Sequence, residues 1–284
     1  MTVAPMTVAP AARQALIESI RTEKVADIIR AAAASEIMPR FRNLRPEDIR
    51  EKTSPTDLVT AADLAAEQLL TEQLTALLPG STVVGEEAVA ADETLLDRLA
   101  GTSPVWVIDP VDGTSNFAEG IARFAVIVAL VADGETLAGW IHDPCDQRMA
   151  WAVAGQGAYM GNRRLKVADP VPPSRMTASL SSRFSRPEIR DALARNWKRL
   201  GEVSGLSSAG QEYLRLVEGG AHAALYHRLM PWDHAAGVLI HHESGGYAAR
   251  LDGSDYRPTL RGGGLILTPD QASWTALRST LLDS

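Results

Sequence analysis

The chain has 284 residues, 45% apolar and 22% charged, which is typical of a folded globular protein with one large domain or two fused lobes. Its formal net charge is −7 and it contains no basic run, which argues against nucleic acid or an anionic membrane as a partner. The single cysteine, Cys145, excludes an internal disulfide and fits a reducing compartment. No apolar run reaches the ~18 residues of a membrane span and no signal-peptide pattern begins the chain, so a cytoplasmic protein is expected.

The first sixty residues combine a tail, a helical region and a charged connection. Residues 1–10 repeat the sequence M-T-V-A-P, whose two prolines and lack of helical period predict a disordered tail. Apolar residues at helical spacing predict helix from about residue 11 to 41. The charged segment 42–56 carries two prolines and is predicted to be a loop or a short hairpin.

Two segments then place acidic residues at the ends of predicted elements. D-L-V-T-A-A-D at 57–63 opens a helix in which Thr60 is a good N-cap. Asp63 either completes a capping box or only balances the helix dipole. A strand at Thr82–Val84 runs into G-E-E, which contains Glu86. Paired glutamates at a strand end are usually solvated, and Glu86 becomes a candidate only because a second strand also ends in acids.

That second strand begins the sequence W-V-I-D-P-V-D-G-T-S-N-F at 106–117. The buried strand is predicted to end on Asp109, because Pro110 cannot donate to a sheet ladder. Asp112 and Gly113 follow, and the next three residues are N-cap types that predict a helix start. Paired carboxylates suit Mg²⁺, and N–H groups at a helix start suit phosphate. The stretch therefore indicates a metal-plus-phosphate site, with a capped Asp-Gly turn as the simpler alternative.

Strands dominate the rest of the first half, and a proline cluster ends it. The predicted strands are Ile121–Val131, Thr136–His142, Met149–Val153 and Gly157–Met160, with a hairpin turn at Asp133-Gly134. The sequence G-Q-G-A-Y-M-G at 155–161 resembles a dinucleotide fingerprint. Its last gap is one residue too long and it lies between strands, so that interpretation is rejected. The prolines at 170, 172 and 173 mark the predicted boundary between a lobe of residues 11–168 and a lobe of residues 169–284.

The second lobe alternates strands and helices. The predicted strands are Thr177–Ser181, Val203-Ser204, Ala223–Tyr226, Tyr247–Leu251 and Gly264–Leu267, and the predicted helices are 187–199, Ala209–Gly219, one that opens at Pro231-Trp232-Asp233, and 270–283. The small, polar segment Gly205–Gly210 is predicted to line a pocket, which makes Ser208 and Ala209 candidate binding residues. Asp233 lies at a helix N-terminus, where a dipole-stabilising role alone is worth ~0.3–1 kcal/mol.

Four acids thus lie at strand ends or a helix start, where open α/β folds place their ligands: Glu86, Asp109, Asp112 and Asp233. If the fold brings these carboxylates together, they repel one another and shift their pKa values unless cations bind among them. The combination indicates a metal site more strongly than any one acid does.

With these motifs the sequence resembles the inositol monophosphatase family, within the larger group of lithium-sensitive phosphatases that includes fructose-1,6-bisphosphatase. The resemblance runs from about residue 12 to the C-terminus. It rests, in the family's order, on the motifs at 57–63, 85–87, 106–117 and 231–246. It implies a layered α-β-α-β-α sandwich, which is an α/β fold, and commonly a homodimer.

The resemblance also implies the site. Glu86, Asp109 and the Val111 carbonyl would hold a first Mg²⁺, and Asp109, Asp112 and Asp233 a second, with a third, weaker Mg²⁺ near Glu86. Gly113 and Thr114 would bind the phosphate through backbone N–H groups. Thr114 with Asp63, and Glu86 through the metal, would orient and deprotonate the attacking water. This is two-metal hydrolysis of a phosphate monoester without a phosphoenzyme.

The implied substrate is inositol-1-phosphate or a related small sugar or polyol phosphate. Alternatives within the family are histidinol phosphate, fructose-1,6-bisphosphate and a nucleotide 3′-phosphate. Inositol-specific members carry a glutamate seven residues before the W-D aspartate, where this chain has Tyr226, followed by His227 and Arg228. A tyrosine offers one hydroxyl and an aromatic face, so an anionic, aromatic or larger monoester is expected if Tyr226 and Arg228 face the pocket. The alternative is that Tyr226 packs in the core and Arg228 faces solvent.

Two other classes fit parts of the pattern. Haloacid-dehalogenase phosphatases use D-x-D-G-T, but this chain has D-P-V-D-G-T, one residue longer, so its second acid would miss the general-acid position. A metal-dependent binding or regulatory module that kept the fold would be marked by a lost metal ligand, and all four carboxylates are present.

Overall fold

The structure is a computed structural model that describes residues 10–54 and 57–283. Its helices are α1 (Pro10–Ser19), α2 (Thr22–Ala32), α3 (Ala61–Leu77), α4 (Glu86–Ala91), α5 (Thr114–Ala118), α6 (Pro187–Asn196), α7 (Ala209–Val217), α8 (Pro231–Glu243) and α9 (Gln271–Leu282). A π-helical turn at Ala33–Ile37 extends α2, and 3₁₀ helices form at Pro46–Asp48, Glu93–Ala100, Pro173–Arg175 and Trp197–Arg199. Apart from Pro10, the tail predicted over 1–10 lies outside the described residues.

The strands form three sheets. They are β1 (Ile49–Ser54), β2 (Asp57–Thr60), β3 (Thr82–Gly85), β4 (Val105–Asp112), β5 (Ala125–Ala132), β6 (Glu135–Asp143), β7 (Arg148–Val153), β8 (Ala158–Met160), β9 (Arg163–Arg164), β10 (Thr177–Leu180), β11 (Glu202–Val203), β12 (Ala223–Tyr226), β13 (Tyr247–Arg250) and β14 (Leu265–Thr268). The large sheet has the order β3-β4-β5-β6-β7-β8-β9, the second sheet has the order β11-β10-β12-β14-β13, and β1 pairs with β2. In the large sheet only β3 and β4 run parallel, so both strands end at the same edge.

Helices separate and cover the two larger sheets. Helices α2 and α3 pack on one face of the large sheet, in a core that contains Trp106, Trp140 and Leu70. Helices α7 and α8 lie on its other face and share a second core with strands of the five-stranded sheet. Helices α6 and α9 cover the far face of that sheet in a third core. The predicted α-β-α-β-α sandwich is therefore confirmed.

The sequence-based helix over residues 11–41 is wrong in one respect, because the structure divides it between α1 and α2. Arg21 before α2 has non-helical backbone angles, φ −92° and ψ 76°. The Ser19 hydroxyl donates to the Leu16 carbonyl at 2.7 Å, a local bond that competes with continuing the helix. Strand β5 also begins later than predicted, at Ala125 and not at Ile121.

The lobe boundary predicted between residues 168 and 169 stays a prediction. The core that α7 and α8 form contains residues from both sides of it, such as Ile127 and Leu267. The two predicted lobes thus share one layer of helices. No helix within residues 10–54 and 57–283 combines the length and apolar character needed to cross a bilayer.

The contact between α8 and β6 leaves no room for a side chain at Gly139. A Cβ at this glycine would lie 2.7 Å from the Ala236 Cα. We expect Gly139→Ala to lower the free energy of unfolding by ~1–3 kcal/mol, because helix and sheet must move apart. Urea denaturation measures this loss. The control is Gly262→Ala, whose Cβ would meet nothing within 4 Å and which should change stability by less than ~0.5 kcal/mol. Equal stability of the two variants would contradict the packing argument.

Candidate active site

The end of β4 forms the base of the site. The predicted end of this strand at Asp109 is wrong, because pairing with β5 continues to Asp112. The register shifts between these two residues, so the strand takes up one extra residue at a bulge around Pro110. Proline has no N–H to lose at a bulge. Residues three apart in a regular strand point to opposite faces, and the extra residue lets Asp109 and Asp112 serve one site.

Asp63 is held beside the start of α5. Its Oδ2 accepts hydrogen bonds from the Thr60 backbone N at 2.8 Å and the Thr60 hydroxyl at 2.5 Å, the capping-box alternative of the sequence analysis. Its Oδ1 lies 3.4 Å from the Thr114 Oγ1. The same Thr114 hydroxyl lies 3.0 Å from the Val111 carbonyl oxygen, so its single hydrogen can go to only one of the two acceptors at a time.

Glu86 begins helix α4, and hydrogen bonds to Glu67, a residue outside the motifs, hold the first turn of that helix. The carboxylate of Glu67, on α3, accepts hydrogen bonds from the backbone N–H groups of Glu87 and Ala88, both at 2.8 Å. It crosses so close to Gly85 that a Cβ there would collide with it. The glycine of G-E-E thus lets Glu67 reach the start of α4, the turn that carries Glu86.

Asp112 is tied to the start of α7. Its carboxylate accepts hydrogen bonds from the Ser208 hydroxyl and from the backbone N–H groups of Ala209 and Gly210, at 2.9 and 2.7 Å. Ser208 also caps α7, because its Oγ accepts from the Gln211 N–H at 3.2 Å. A Cβ at Gly210 would lie 2.6 Å from the Ala125 Cβ, so α7 can approach β5 this closely only with glycine there.

A cavity of about 610 Å³ opens over these elements. Gly113 lies in its wall with φ +90°, in the left-handed region, and a Cβ there would come 2.9 Å from the Arg123 carbonyl. The structure brings most of the predicted site residues to this cavity, whereas Asp63, Asp109 and Val111 are buried and do not line it. Those in the lining are Glu86, Asp112, Gly113, Thr114, Ser208, Ala209, Tyr226, Arg228 and Asp233.

The acids influence one another strongly. Burial raises the pKa of Asp109 well above its usual value, and the charges of Glu86, Asp112, Asp233 and Asp63 raise it further. Burial also raises the pKa of Asp112 to about 6, against the hydrogen bonds from residues 208–210, which lower it. The ionised cluster is therefore unfavourable by itself, and positive charge among these oxygens would relieve it.

The donor set fits hard divalent cations, because it consists of carboxylate oxygens and the Val111 carbonyl. In residues 10–54 and 57–283, however, no three His, Cys, Asp or Glu side chains are grouped tightly enough to hold a metal ion as they stand. The charges of the neighbouring acids nonetheless raise the pKa of Asp109, so these acids lie within electrostatic range of it. Three of them, Glu86, Asp112 and Asp233, line the same cavity.

Tyr226 combines both roles that the sequence left open. Its ring packs on Tyr213, with centroids 5.8 Å apart, and it also lines the cavity. Its hydroxyl is buried and has no hydrogen-bond partner among the described residues. Burial, and then the charges of Glu212, Asp112 and Asp233, raise its pKa, so it stays a neutral phenol.

Arg228 is exposed, and its guanidinium lies 5.2 Å from the centre of the Phe184 ring. Its backbone carbonyl lies 3.0 Å from the Nε2 of His234, the residue after Asp233. A carbonyl only accepts, so Nε2 carries the proton and Nδ1 accepts from the Tyr213 hydroxyl at 3.0 Å. Burial lowers the pKa of His234 to about 4, which keeps it neutral in this role.

Sequence reasoning missed three residues that shape the site, namely Glu67, His234 and Phe184. Glu67 had a signal, since it lies four residues after Asp63 and so on the same face of α3. His234 was visible only as a polar residue in an apolar helix face. Phe184 had no signal, because it lies in a loop between β10 and α6.

Three comparisons place this architecture among known proteins. A sequence model described as "Inositol monophosphatase family" matches residues 21–282. The inositol-1-monophosphatase of Caulobacter vibrioides is 36% identical over 211 residues, which cover 72% of this chain and 80% of that protein. The fructose-1,6-bisphosphatase/inositol-1-monophosphatase of Thermotoga maritima is 28% identical over 211 residues, which cover 74% of this chain and 78% of that protein. The solved structure of inositol monophosphatase-II from Staphylococcus aureus superposes with a TM-score of 0.75, at 25% identity, over 92% of this chain and 94% of that one.

The position of Glu67 predicts a structural and a functional effect of its removal. We expect Glu67→Gln to lower the free energy of unfolding by ~1–3 kcal/mol, because two charge-assisted bonds to backbone N–H groups are weakened. It should also raise the concentration of divalent metal needed for half-maximal activity, because the start of α4 carries Glu86. Urea denaturation and titration of activity with divalent metal measure the two effects.

The matched control is Glu72→Gln, on an exposed part of the same helix. It should leave both quantities within experimental error of the wild type. If Glu67→Gln and Glu72→Gln behave alike, Glu67 does not position the start of α4.

Proposed function

The chain belongs to the inositol monophosphatase family and is a phosphatase, and from that membership we propose that it hydrolyses a small phosphate monoester with Mg²⁺-activated water. The observation that carries the proposal is the buried Asp109, whose pKa is raised by burial and by the charges of four other acids. Gly113, four residues later, precedes the first residue of helix α5. The family membership excludes the haloacid-dehalogenase alternative and argues against a binding module without activity.

The cations would be held by the acids around the end of β4. Asp109 would contribute to two Mg²⁺ sites, and a third, weaker site would lie near Glu86. The remaining proposed ligands are the Val111 carbonyl, Asp112 and Asp233. When bound, Mg²⁺ lowers the pKa of a coordinated water and offsets the charge that develops on the leaving oxygen.

The protein's own groups position the reactants. The backbone N–H groups of Gly113 and Thr114, at the start of α5, bind the phosphate oxygens. The Thr114 hydroxyl and Asp63 orient the attacking water, with Asp63 as the acceptor of the proton that the water gives up. The two hydrogen bonds from Thr60 hold Asp63 in place, so that its second oxygen stays directed at Thr114.

Asp109→Asn tests the metal site, because it removes charge from both cation sites while keeping side-chain volume. We expect a kcat below about a tenth of the wild-type value, which corresponds to an activation free energy that is higher by more than ~1.4 kcal/mol. Glu86→Gln should retain more activity than Asp109→Asn at saturating Mg²⁺. Phosphate release from inositol-1-phosphate, fructose-1,6-bisphosphate, histidinol phosphate, 3′-phosphoadenosine 5′-phosphate and NADP⁺ supplies the assay.

The control Asp97→Asn changes an exposed acid outside the cavity and should keep wild-type activity. Excess EDTA should abolish activity, Ca²⁺ should inhibit because it tolerates irregular coordination, and Li⁺ should inhibit in the millimolar range. Full activity of Asp109→Asn or full activity in EDTA would disprove the metal-dependent mechanism.

The pocket supports a substrate other than plain inositol-1-phosphate. Tyr226 presents one phenol where inositol-specific members carry a carboxylate, and Arg228 adds a cation to the same cavity. Losing a charge-assisted hydrogen bond costs ~1.5–3 kcal/mol, roughly 10- to 100-fold in kcat/KM. We therefore expect Tyr226→Glu to shift the substrate ranking toward inositol-1-phosphate, as measured by kcat/KM over the same substrates. Inositol-1-phosphate as the best wild-type substrate, or an unchanged ranking in the variant, would contradict this.

From family membership alone, we also propose that the protein is cytoplasmic and forms a homodimer. The proposed C-terminal lobe begins at residue 169 and supplies Asp233. Analytical ultracentrifugation at micromolar concentration tests the dimer.

A further inference from the structure

The active-site cavity contains a buried acid that the proposed mechanism does not use. Glu212 lies in the first turn of α7 and lines the cavity, although the residue is only 4% exposed. It follows Ala209 by three residues, and residues three apart are neighbours on the surface of a helix. The backbone N–H of Ala209 bonds to Asp112, so Glu212 lies one helical turn from the acids around the end of β4.

Both hydrogen bonds to the Glu212 carboxylate go to one of its two oxygens. Oε1 accepts from the Leu206 N–H at 2.5 Å and from the Ser179 hydroxyl at 2.8 Å. Oε2 accepts no hydrogen bond from any residue within 10–54 and 57–283. The bonds therefore fix the direction of the carboxylate and leave its second oxygen open to a ligand.

The carboxylate end of Glu212 lies at the cavity wall. Its neighbours Ser179 and Gly205 also line the cavity, and a Cβ at Gly205 would lie 3.8 Å from Oε1. Oε2 is not one of the fully buried polar atoms that lack a partner in the described part of the chain, so solvent reaches it. Because the residues around the carboxylate line the active-site cavity, that is where Oε2 meets solvent.

No ion pair neutralises Glu212 among the residues that the structure describes. Arg215 acts on it only through its charge, because the Arg215 guanidinium donates to the Ser204 hydroxyl and the Gly220 carbonyl. Burial has the largest effect on the pKa of Glu212 and raises it. A buried carboxylate without a cation is costly, and a ligand group that donates a hydrogen bond to it lowers that cost.

We infer that Glu212 is a specificity-determining residue, whose Oε2 binds a hydrogen-bond donor on the alcohol that the reaction releases. The donor is a hydroxyl or an ammonium group, because both complement a carboxylate whereas an anionic or an apolar group does not. This inference rests on the proposed function, because the phosphoryl group must occupy the cavity over Asp112 for its alcohol to reach Glu212. Glu212 takes no part in the bond changes at phosphorus and acts only on which alcohol binds.

A purely structural role would use the bonds of Oε1 alone, which tie Leu206 and β10 to α7. The variant Glu212→Gln separates the two roles. Its amide oxygen can keep both bonds of Oε1, while an NH₂ group replaces Oε2. That NH₂ group is a donor, so it opposes an ammonium group and accepts nothing from a hydroxyl.

Three series of linear phosphate monoesters test the inference. The chains have two to six carbons and end in a methyl, a hydroxyl or an ammonium group, and phosphate release is measured with Mg²⁺. In the wild type, we expect kcat/KM for a hydroxyl- or ammonium-ended ester to exceed that for the methyl-ended ester of equal length at least about ten-fold at one length or more, because a hydrogen bond to a charged group is gained. In Glu212→Gln this ratio should fall at least about five-fold. The series with the larger wild-type ratio identifies the donor.

The matched control is Glu188→Gln, which changes an exposed glutamate in the first turn of α6, outside the cavity. It should keep the wild-type ratios. Each ratio compares two substrates on one enzyme, so a loss of folded protein does not change it. Equal kcat/KM for the three series at every length, an unchanged ratio in Glu212→Gln, or an equal fall in both variants would overturn the role of Glu212. Phosphate release from none of these esters, nor from inositol-1-phosphate or the other phosphates assayed with Asp109→Asn, would instead overturn the proposed function.

Discussion

The repulsion among carboxylates around the buried Asp109 is the constraint on which the rest of the site depends. Burial alone disfavours an ionised carboxylate, and neighbouring acids add to the cost. The fold offsets this by directing helix N-termini toward the acids. Helices α3, α4, α7 and α8 all begin beside the site, and backbone N–H groups at the starts of α4 and α7 bond to Glu67 and Asp112. The positive ends of helices stabilise negative charge, which lowers the free-energy cost of holding these acids near one another.

The layered topology is what brings these acids to one place. Strands β3 and β4 are parallel neighbours, so Glu86, directly after β3, and Asp109, in the last part of β4, lie at one edge of the large sheet. The helix layer between the two sheets then brings Asp233 on α8 and the start of α7 to the same edge. Close approach matters here, and Gly139 and Gly210 permit it where a methyl group would collide. A site formed from distant segments is thus positioned by close packing outside the site.

The sequence predicted what is local and missed what depends on long-range pairing. The helix start after Gly113, the capping of α3 by Thr60 and the start of α8 at Pro231 each depend on a few consecutive residues, and the structure contains them. The strand was predicted to end too early because a bulge is a property of register with β5, and Pro110 alone does not reveal it. The bonds of Glu67 to α4 and of Asp112 to α7 join residues 20 or more positions apart, so no periodicity or spacing predicts them.

The surroundings of Arg228 show the same limit. The cavity that adjoins the active site is lined by residues spread from Phe184 to Arg278, and each arginine alone looks like a solvated surface charge. No spacing in the sequence joins these residues, because only the packing around the five-stranded sheet brings them to one place.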